Sequence, residues 1–200
     1  MEKRIIFATG NEGKMREIRM ILGDLGVPVV SMKEAGAAAD IEENGTSFEE
    51  NAIIKARTIM KKTGEITMAD DSGLEIDALG GEPGIYSARD MGEDTSYDIK
   101  NQNLIDRLEG MPEEKRTARF VCAIACAFPD GQILTSRGTM EGLIAHEIRG
   151  ENGFGYDPVF YLPEEGCTSA EISPEKKNEL SHRGKALREM KKQLVGCLGK

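Results

Sequence analysis

Residues 3–22, KRIIFATGNEGKMREIRMIL, contain an apolar run, a glycine-bearing turn and an amphipathic segment in direct succession. The apolar residues of the last segment recur at helical spacing and are Met15, Ile18, Ile21 and Leu22. The stretch therefore predicts a strand over residues 3–7, followed over residues 8–14 by a glycine-bearing turn and the start of a helix. Free backbone N–H groups at such a helix start commonly hold an anion, so the turn is a candidate phosphate site.

This turn does not match the P-loop pattern G-x-x-x-x-G-K-[ST]. Gly10 and Gly13 are too close together, and Met15 occupies the position of the Ser or Thr. Lys14 falls in the first helical turn, where the helix dipole disfavours a cation unless an anion lies beside it. The alternative is that the two glycines only turn the chain and that Lys14 is solvated.

Composition narrows the class of partner. The chain of 200 residues has 26 Lys and Arg against 35 Asp and Glu, a formal charge of −9, and no block of like charges. We expect no nucleic-acid polymer as a partner, because affinity for one comes from neutralising many phosphates.

The apolar run near the N-terminus is too short for a signal peptide or a membrane span, so we expect a cytoplasmic protein without a membrane partner. The four cysteines form no C-x-x-C pair, and the spacing does not indicate a zinc site.

The remaining pattern predicts a single mixed α/β domain over residues 1–200. A helix is expected over residues 47–63, closed by Gly64. The other predicted elements are strands at 27–31, 65–69, 119–128, 132–138 and 156–162, helices at 96–108, after Ser173 and from Ser181, and a long loop at 73–90. The turn Pro129-Asp130-Gly131 predicts a hairpin, which disfavours a purely doubly wound sheet.

Asp70 and Asp71 follow the predicted strand at 65–69, so they are expected at the carboxyl end of a sheet, where most α/β active sites lie. Adjacent carboxylates repel, which favours a counter-charge such as bound Mg²⁺ or a lysine. Glu42 or its neighbour Glu43 could supply a second oxygen ligand. A simple Asx turn would explain one aspartate but not both.

Three further groups are candidates for binding. Asn51 and Lys55 are four residues apart on one face of the predicted helix. In GFGYD, glycines flank Phe154 and leave room for a flat ring to stack on it. Lys177, His182 and Arg183 lie near the start of the last helix. Each group has a structural alternative. The helix residues could lie on a solvated edge, the aromatic residues of GFGYD could pack into the core, and the basic residues could form a solvated face.

Five motifs together resemble one known family, the inosine triphosphate pyrophosphatases, also called dITP/XTP pyrophosphatases. They extend from residue 9 to residue 187 and are TGNEGK, EENGTSFEENAIIKA, ADDSGLEIDALGGEPGIYSAR, GFGYDPVF and LSHRGKAL. The resemblance implies an elongated mixed β-sheet flanked by helices, in two lobes with a central substrate cleft, and a homodimer. It also implies hydrolysis of deaminated purine nucleoside triphosphates (ITP, dITP, XTP) to the monophosphate and pyrophosphate with Mg²⁺ as cofactor.

The resemblance also implies roles for individual residues. The catalytic residues would be Asp71 as proton acceptor with Lys14 and Lys55, and the metal ligands would be Glu42 and Asp71. The substrate-binding residues would be Thr9, Gly10, Asn11, Glu12, Gly13, Lys14, Ser72, Phe154, Gly155, Tyr156, Asp157, Lys177, His182 and Arg183. A donor such as Arg183, or a backbone N–H near it, would pair with the C6 carbonyl of hypoxanthine or xanthine and would lose its partner against adenine.

Two alternatives remain open at this point. One is a related nucleotide pyrophosphatase that acts on modified pyrimidine or standard triphosphates, and a substrate panel separates it. The other is a sensor that binds a purine nucleotide without hydrolysing it. The carboxylates Asp70, Asp71 and Glu42 disfavour the sensor, because a pure binder gains little from acids beside a polyphosphate.

Overall fold

The computed structural model describes residues 4–198, and Lys3 of the predicted first strand lies outside them. The helices are α1 (Glu12–Leu22), α2 (Phe48–Thr63), α3 (Tyr97–Arg107), α4 (Pro174–Leu180) and α5 (His182–Leu198). The strands are β1 (Ile5–Phe7), β2 (Val29–Ser31), β3 (Thr67–Ile76), β4 (Thr117–Ala127), β5 (Ile133–Ile144), β6 (Phe160–Leu162) and β7 (Cys167–Thr168). Short 3₁₀ turns occur at Asp77–Leu79, Gly84–Tyr86, Glu113–Lys115 and Asp157–Val159.

The sheet is mixed, as the hairpin signal predicted. Its strand order is β2-β1-β3-β4-β5-β6-β7. Strand β1 pairs in parallel with β2 and β3, whereas β6 pairs antiparallel with β5 and β7. The α/β fold class is therefore confirmed, with helices flanking a mixed sheet.

The chain divides into two compact units. Unit 1 comprises residues up to Asp71, Cys122–Gly138 and the chain from His182 onward. Unit 2 comprises Ser72–Val121 and Thr139–Ser181. Strands β3, β4 and β5 each contribute residues to both units.

In unit 1, the alternation of side chains along β1 produces two apolar layers. Ile5 and Phe7 pack in one cluster with residues of α1 and α5, whereas Ile6 packs in another with Ala52 and Ile59 of α2. Successive side chains of a strand point to opposite faces of the sheet. The α1–α5 layer and the α2 layer therefore cover opposite faces of the sheet in unit 1.

Local capping signals explain why α2 begins and ends where the sequence predicts. The Ser47 side chain accepts a hydrogen bond from Glu50 N at 3.1 Å. Gly64 adopts a left-handed conformation with φ 71°, and its N–H bonds to Met60 O. Ser173 likewise caps α4 as predicted, and Ser96, where the next predicted helix begins, is the N-cap of α3.

Strand β3 is longer than predicted. The sequence placed its end at residue 69 and a loop at 73–90, whereas the strand runs through both aspartates to Ile76. Aspartate disfavours a strand on propensity alone. Both carboxylates nevertheless have cationic partners, and Leu74 and Ile76 continue the buried alternation.

Two further expectations in the C-terminal half need correction. Residues 156–162 do not form one strand, because Asp157–Val159 is a 3₁₀ turn and only Phe160–Leu162 pairs. Pro158 has no N–H for a ladder. The helical spacing of apolar residues 186–195 also predicted one buried face on α5. Ala186, Leu187, Met190 and Leu194 are buried, but Val195 is 61% exposed.

Unit 2 has its own apolar cluster and contains the buried cation Arg116, which the sequence did not reveal. Arg116 is 1% exposed and donates to the carbonyl oxygens of Leu108, Ile144 and Ala145 at 2.7–2.8 Å. It therefore ties the end of α3 to the end of β5. Within residues 4–198, no helix is both long enough and apolar enough to cross a membrane.

Candidate active site

Asp70 and Asp71 are both buried in β3, at 1% and 7% exposure, and their carboxylates contact different helices. Asp70 meets Lys14 of α1 and Arg183 of α5, whereas Asp71 meets Asn51 and Lys55 of α2. Neighbouring residues of a strand face opposite sides of the sheet, which explains the division. Each aspartate has a lysine partner, one of the two counter-charges that the sequence predicted.

The Asp70 side of β3 is a buried ion network. Lys14 Nζ lies 3.0 Å from Asp70 Oδ2, and one guanidinium nitrogen of Arg183 lies 3.4 Å from the same oxygen. A second nitrogen of Arg183 donates to Glu17 Oε2 at 2.5 Å. Arg183 is 2% exposed, so both carboxylates meet it away from water. Asp70 is therefore the anion that compensates Lys14 at the start of α1.

These cations decide the ionisation of Asp70. Burial alone would raise its pKa, but Lys14, Arg183 and Lys55 together hold the pKa of this carboxyl well below its usual range. Burial likewise opposes the charge on Arg183, yet Asp70 and Glu17 raise the pKa of the guanidinium. These cations therefore favour the ionised form of Asp70.

On the other side of β3, the charge of the Asp71 carboxylate has fewer cationic partners than that of Asp70. Asn51 Nδ2 donates to Asp71 Oδ2 at 3.1 Å, and Lys55 Nζ lies 3.6 Å from Asp71 Oδ1. Lys55 also lies 3.2 Å from Glu43 Oε2, so one ammonium group serves two carboxylates. Burial lowers the pKa of Lys55, but Asp70, Asp71 and Glu43 outweigh it and the net pKa is raised.

Asp71 has the properties of a proton acceptor that works near neutral pH. Burial, together with the nearby Glu43 and Asp70, raises its pKa to about 6 against the opposing effects of Lys55 and Asn51. A general base is most effective when its pKa lies near the operating pH. Two adjacent carboxyl groups with pKa values pushed in opposite directions are typical of catalytic sites.

The predicted phosphate turn forms the expected strand–turn–helix unit. Ala8 N bonds to Met68 O at 2.8 Å, which places the end of β1 beside β3 just before Asp70. The Asn11 side chain caps α1 by accepting from Lys14 N at 3.0 Å, and Thr9 Oγ1 accepts from Asn11 N at 3.1 Å. Gly10, Asn11 and Glu12 are exposed and Gly13 is half-buried.

Of the two candidate metal-binding glutamates, Glu43 is the one that the structure joins to the Asp71 group. Glu42 is exposed, whereas Glu43 is half-buried and paired with Lys55. Within residues 4–198 no group of three or more His, Cys, Asp or Glu side chains is arranged to hold a metal ion. The carboxylates near Asp71 are hard oxygen donors, and Mg²⁺ typically uses only one or two protein carboxylates together with substrate phosphates.

In unit 2, Asp157, Lys177 and Phe154 form a second group. Asp157 Oδ2 accepts from Lys177 Nζ at 2.6 Å and from Phe154 N at 2.9 Å, and Ser169 Oγ donates to Oδ1 at 2.7 Å. Lys177 Nζ lies 4.6 Å from the Phe154 ring centroid. The ring is half-buried, so it is the aromatic side chain of GFGYD that keeps exposed surface.

Tyr156 is part of the core of unit 2. It is 4% exposed, its hydroxyl donates to Ser87 O at 2.8 Å, and its ring meets Tyr97 edge to face at 5.2 Å. Gly155 has φ 67°, a conformation that favours glycine. Its carbonyl accepts from Asn101 Nδ2 at 3.1 Å.

The other predicted site residues and two unforeseen ones complete the description. Ser72 is half-buried in β3, and His182, 5% exposed, is the first residue of α5. The sequence analysis missed Glu17 and the contacts of Asn51. Glu17 neighbours the apolar Ile18 on the buried side of α1, and an acid at such a position signals a buried cation.

Comparisons with known proteins place these residues in a family. Residues 5–193 match the Ham1 family. The chain is 50% identical over 185 residues to a dITP/XTP pyrophosphatase of Desulforamulus reducens, covering 92% of each chain. It is 49% identical over 188 residues to a dITP/XTP pyrophosphatase of Bacillus licheniformis, covering 94% of this chain and 96% of the relative.

Solved structures agree. The Ham1 protein of Staphylococcus aureus superposes with a TM-score of 0.86 at 42% identity, covering 97% of this chain and 99% of that one. A HAM1 protein of Coxiella burnetii gives a TM-score of 0.88 at 41% identity with the same coverage. The match extends over nearly the whole chain in both sequence and structure, and the chain belongs to the Ham1 family.

Proposed function

We propose that this protein is a nucleoside triphosphate pyrophosphohydrolase that converts deaminated purine nucleoside triphosphates to the monophosphate and pyrophosphate. The observation that carries the proposal is that two adjacent carboxyl groups of β3 have different partners. The Asp70 carboxylate lies between Lys14 and Arg183. The buried Asp71 carboxyl lies beside Asn51 and Lys55 and has a raised pKa. The names of the two relatives, dITP/XTP pyrophosphatases, support the same reaction and substrate class.

In this reaction water attacks the α-phosphorus, the bond from the α-phosphorus to the bridging oxygen breaks, and pyrophosphate leaves. Asp71 would accept the proton from the attacking water, because within the described residues its buried carboxylate has only Lys55 as a close cationic partner in the metal-free protein. Lys14 and Lys55 would stabilise the charge that spreads over the phosphate oxygens. An ammonium group has three donors, so each lysine can keep its carboxylate partner and also bind phosphate.

Residues 9–14, which are the turn and the first residues of α1, would hold the triphosphate. They place exposed backbone N–H groups at the start of α1, where the helix dipole favours an anion. Thr9 and Asn11 contribute by fixing the turn through their side chains. This leaves the backbone of the turn, together with Lys14, as the proposed phosphate contacts.

We propose Mg²⁺ as the cofactor, with Asp71 and one carboxylate of the 42–43 pair as its protein ligands. Glu42 was the ligand predicted from the resemblance, and the contact between Glu43 and Lys55 favours its neighbour. When bound, Mg²⁺ would neutralise phosphate charge and so lower the barrier to attack. The carboxylate oxygens already gathered around Lys55 fit this hard cation.

For the nucleoside end we propose Phe154 as the stacking side chain, with Lys177 and the Asp157 carboxylate holding its loop. Gly155, Tyr156 and Asp157 would act chiefly by shaping that loop, since their contacts in unit 2 are internal. Ser72, His182 and Arg183 remain predicted substrate contacts. We further propose that the protein acts in the cytoplasm as a homodimer and binds no nucleic-acid polymer.

The test is a substrate panel with product analysis. The purified protein is incubated with Mg²⁺ and ITP, dITP, XTP, ATP, GTP or a pyrimidine triphosphate, in ¹⁸O-labelled water, and the products are separated by anion exchange. We expect IMP and pyrophosphate from ITP, with the label in IMP, and slow use of ATP and GTP. An Asp71→Asn preparation run in parallel identifies any contaminating activity.

Three results would contradict the proposal. Formation of IDP and phosphate would show that the enzyme cleaves between the β- and γ-phosphates. Label in pyrophosphate would show that water attacks the β-phosphorus. Faster turnover of pyrimidine or standard triphosphates would favour the related pyrophosphatase instead.

A further inference from the structure

Asn51 is fully buried on α2, and both ends of its carboxamide are used. Its Oδ1 accepts from Gly45 N at 2.8 Å, and its Nδ2 donates to Asp71 Oδ2 at 3.1 Å. A backbone N–H must meet an acceptor and a carboxylate must meet a donor. The orientation of the amide is therefore determined by its two partners.

The loop that precedes α2 closes directly onto this side chain. A Cβ atom added to Gly45 would lie 2.7 Å from Asn51 Oδ1 and 2.8 Å from Glu50 Cβ, so no other residue fits without movement. Two residues before Gly45, Glu43 reaches Lys55, and Lys55 reaches Asp71 Oδ1. The loop that precedes α2, α2 itself and β3 are thus connected by a closed set of polar contacts, and Asn51 is the uncharged side chain in that set.

We propose that Asn51 is a positioning residue for the hydrolytic reaction. It holds Asp71 through Oδ2, so that Oδ1 faces Lys55, and it fixes the separation between Asp71 and the loop that carries Glu42 and Glu43. The inference rests on the proposed function, and it assigns to Asn51 no contact with substrate.

The physical basis is the rotation of the Asp71 carboxylate. A carboxylate that acts as a base or as a metal ligand must present one oxygen in a defined direction, and hydrogen-bonded partners provide that orientation. Lys55 cannot do so alone, because its ammonium is shared with Glu43 and lies 3.6 Å from Asp71. Asn51 supplies the shorter and directional contact.

Two substitutions separate the two hydrogen bonds. Asn51→Asp keeps an acceptor for Gly45 N but replaces the donor to Asp71 with a second carboxylate. Asn51→Ala removes both contacts. Ile59→Ala is the matched control, because Ile59 is also fully buried on α2 but packs in the apolar cluster.

The first readout needs no activity. In metal-free protein the ¹³Cγ resonance of Asp71, assigned with Asp71→Asn, should shift in both Asn51 variants and stay in place in Ile59→Ala. Amide exchange of Gly45 should accelerate in Asn51→Ala and remain slow in Asn51→Asp. An unmoved Asp71 resonance in both variants would overturn the inference.

The second readout is the division between kcat and KM with ITP. We expect kcat to fall about 10- to 100-fold in both Asn51 variants, as for other groups that orient a ligand, with a higher Mg²⁺ concentration at half-maximal rate and little change in KM. A kcat equal to that of Ile59→Ala would overturn the inference. If the unmodified protein hydrolyses no triphosphate, the proposed function fails, and the Asp71 resonance still decides whether Asn51 orients that carboxylate.

Discussion

Asp70 and Asp71 are adjacent in β3, but the Asp70 carboxylate lies against α1 and α5 and the Asp71 carboxylate against α2. The strand period of two separates them, so each acquires its own set of partners. Lys14 and Arg183 keep Asp70 charged, whereas burial raises the pKa of Asp71 to about 6. Two consecutive, chemically identical side chains thus have pKa values shifted in opposite directions.

Asp71→Asn should abolish turnover while ITP still binds. The substitution removes the proposed proton acceptor and nearly preserves side-chain shape, so we expect kcat to fall about 10²- to 10⁴-fold, the usual contribution of general base catalysis. Steady-state kinetics and ITP binding measured by calorimetry check this. Near-normal turnover would remove Asp71 from both proposed roles.

The same variant should change how stability depends on pH. The folded state raises the pKa of Asp71 from 3.8 to about 6, so the protein loses stability as pH rises through this range and the group ionises. The loss has an upper limit of about 3 kcal/mol, at about 1.4 kcal/mol per pKa unit. In EDTA, Asp71→Asn should therefore gain stability relative to the unmodified protein between pH 4 and pH 7. Urea unfolding of both proteins across this range measures it, and a constant difference would contradict the expectation.

Asp70→Asn should destabilise the protein strongly. The change leaves Lys14 and the buried Arg183 without their shared carboxylate, and breaking a buried ion pair typically costs about 3–5 kcal/mol. Thermal and urea unfolding measure the loss. Glu65→Gln is the matched control, because it breaks an ion pair with Arg4 in which both side chains are partly exposed. Equal effects of the two changes would show that the Asp70 network contributes no more than a surface pair.

Arg183→Ala tests two roles of one side chain. The sequence analysis predicts that it narrows the gap in kcat/KM between ITP and ATP, because a donor to the C6 carbonyl is lost. The contacts with Glu17 and Asp70 predict a fall in stability as well. The ratio of kcat/KM values must therefore be measured below the unfolding temperature of the variant. An unchanged ratio would place base selection elsewhere and leave Arg183 as a structural cation.

Phe154→Leu should raise KM for ITP with little effect on kcat. Stacking of a base on an aromatic ring is worth about 1–3 kcal/mol, and Phe154 keeps exposed surface. Phe160→Leu is the control, because Phe160 is fully buried and packs on Phe120 with ring centroids 4.3 Å apart. The control should lower stability and leave KM unchanged, and equal KM values for both variants would contradict the role of Phe154.

The sequence predicted the elements whose signals are local. Ser47 and Gly64 bound α2 as expected because a cap needs only the residues of its own helix end. The hairpin after β4 and the turn at residues 9–14 were likewise predicted from neighbouring residues. The five motifs indicated the family correctly, since each is a short contiguous segment.

Only the tertiary structure decided which charges meet. Arg183 is 113 positions from Asp70 and 166 from Glu17, and no local pattern joins them. The prediction ended β3 at residue 69. Aspartate disfavours a strand on propensity alone, but cations from α1, α2 and α5 stabilise both carboxylates within β3. That continuation of the strand places Asp70 and Asp71 on opposite faces of the sheet. The sequence by itself determined the chemical groups and the local elements, and the packing of distant helices determined the ionisation of each carboxylate, because burial and charge depend on neighbours that the chain brings together only when it folds.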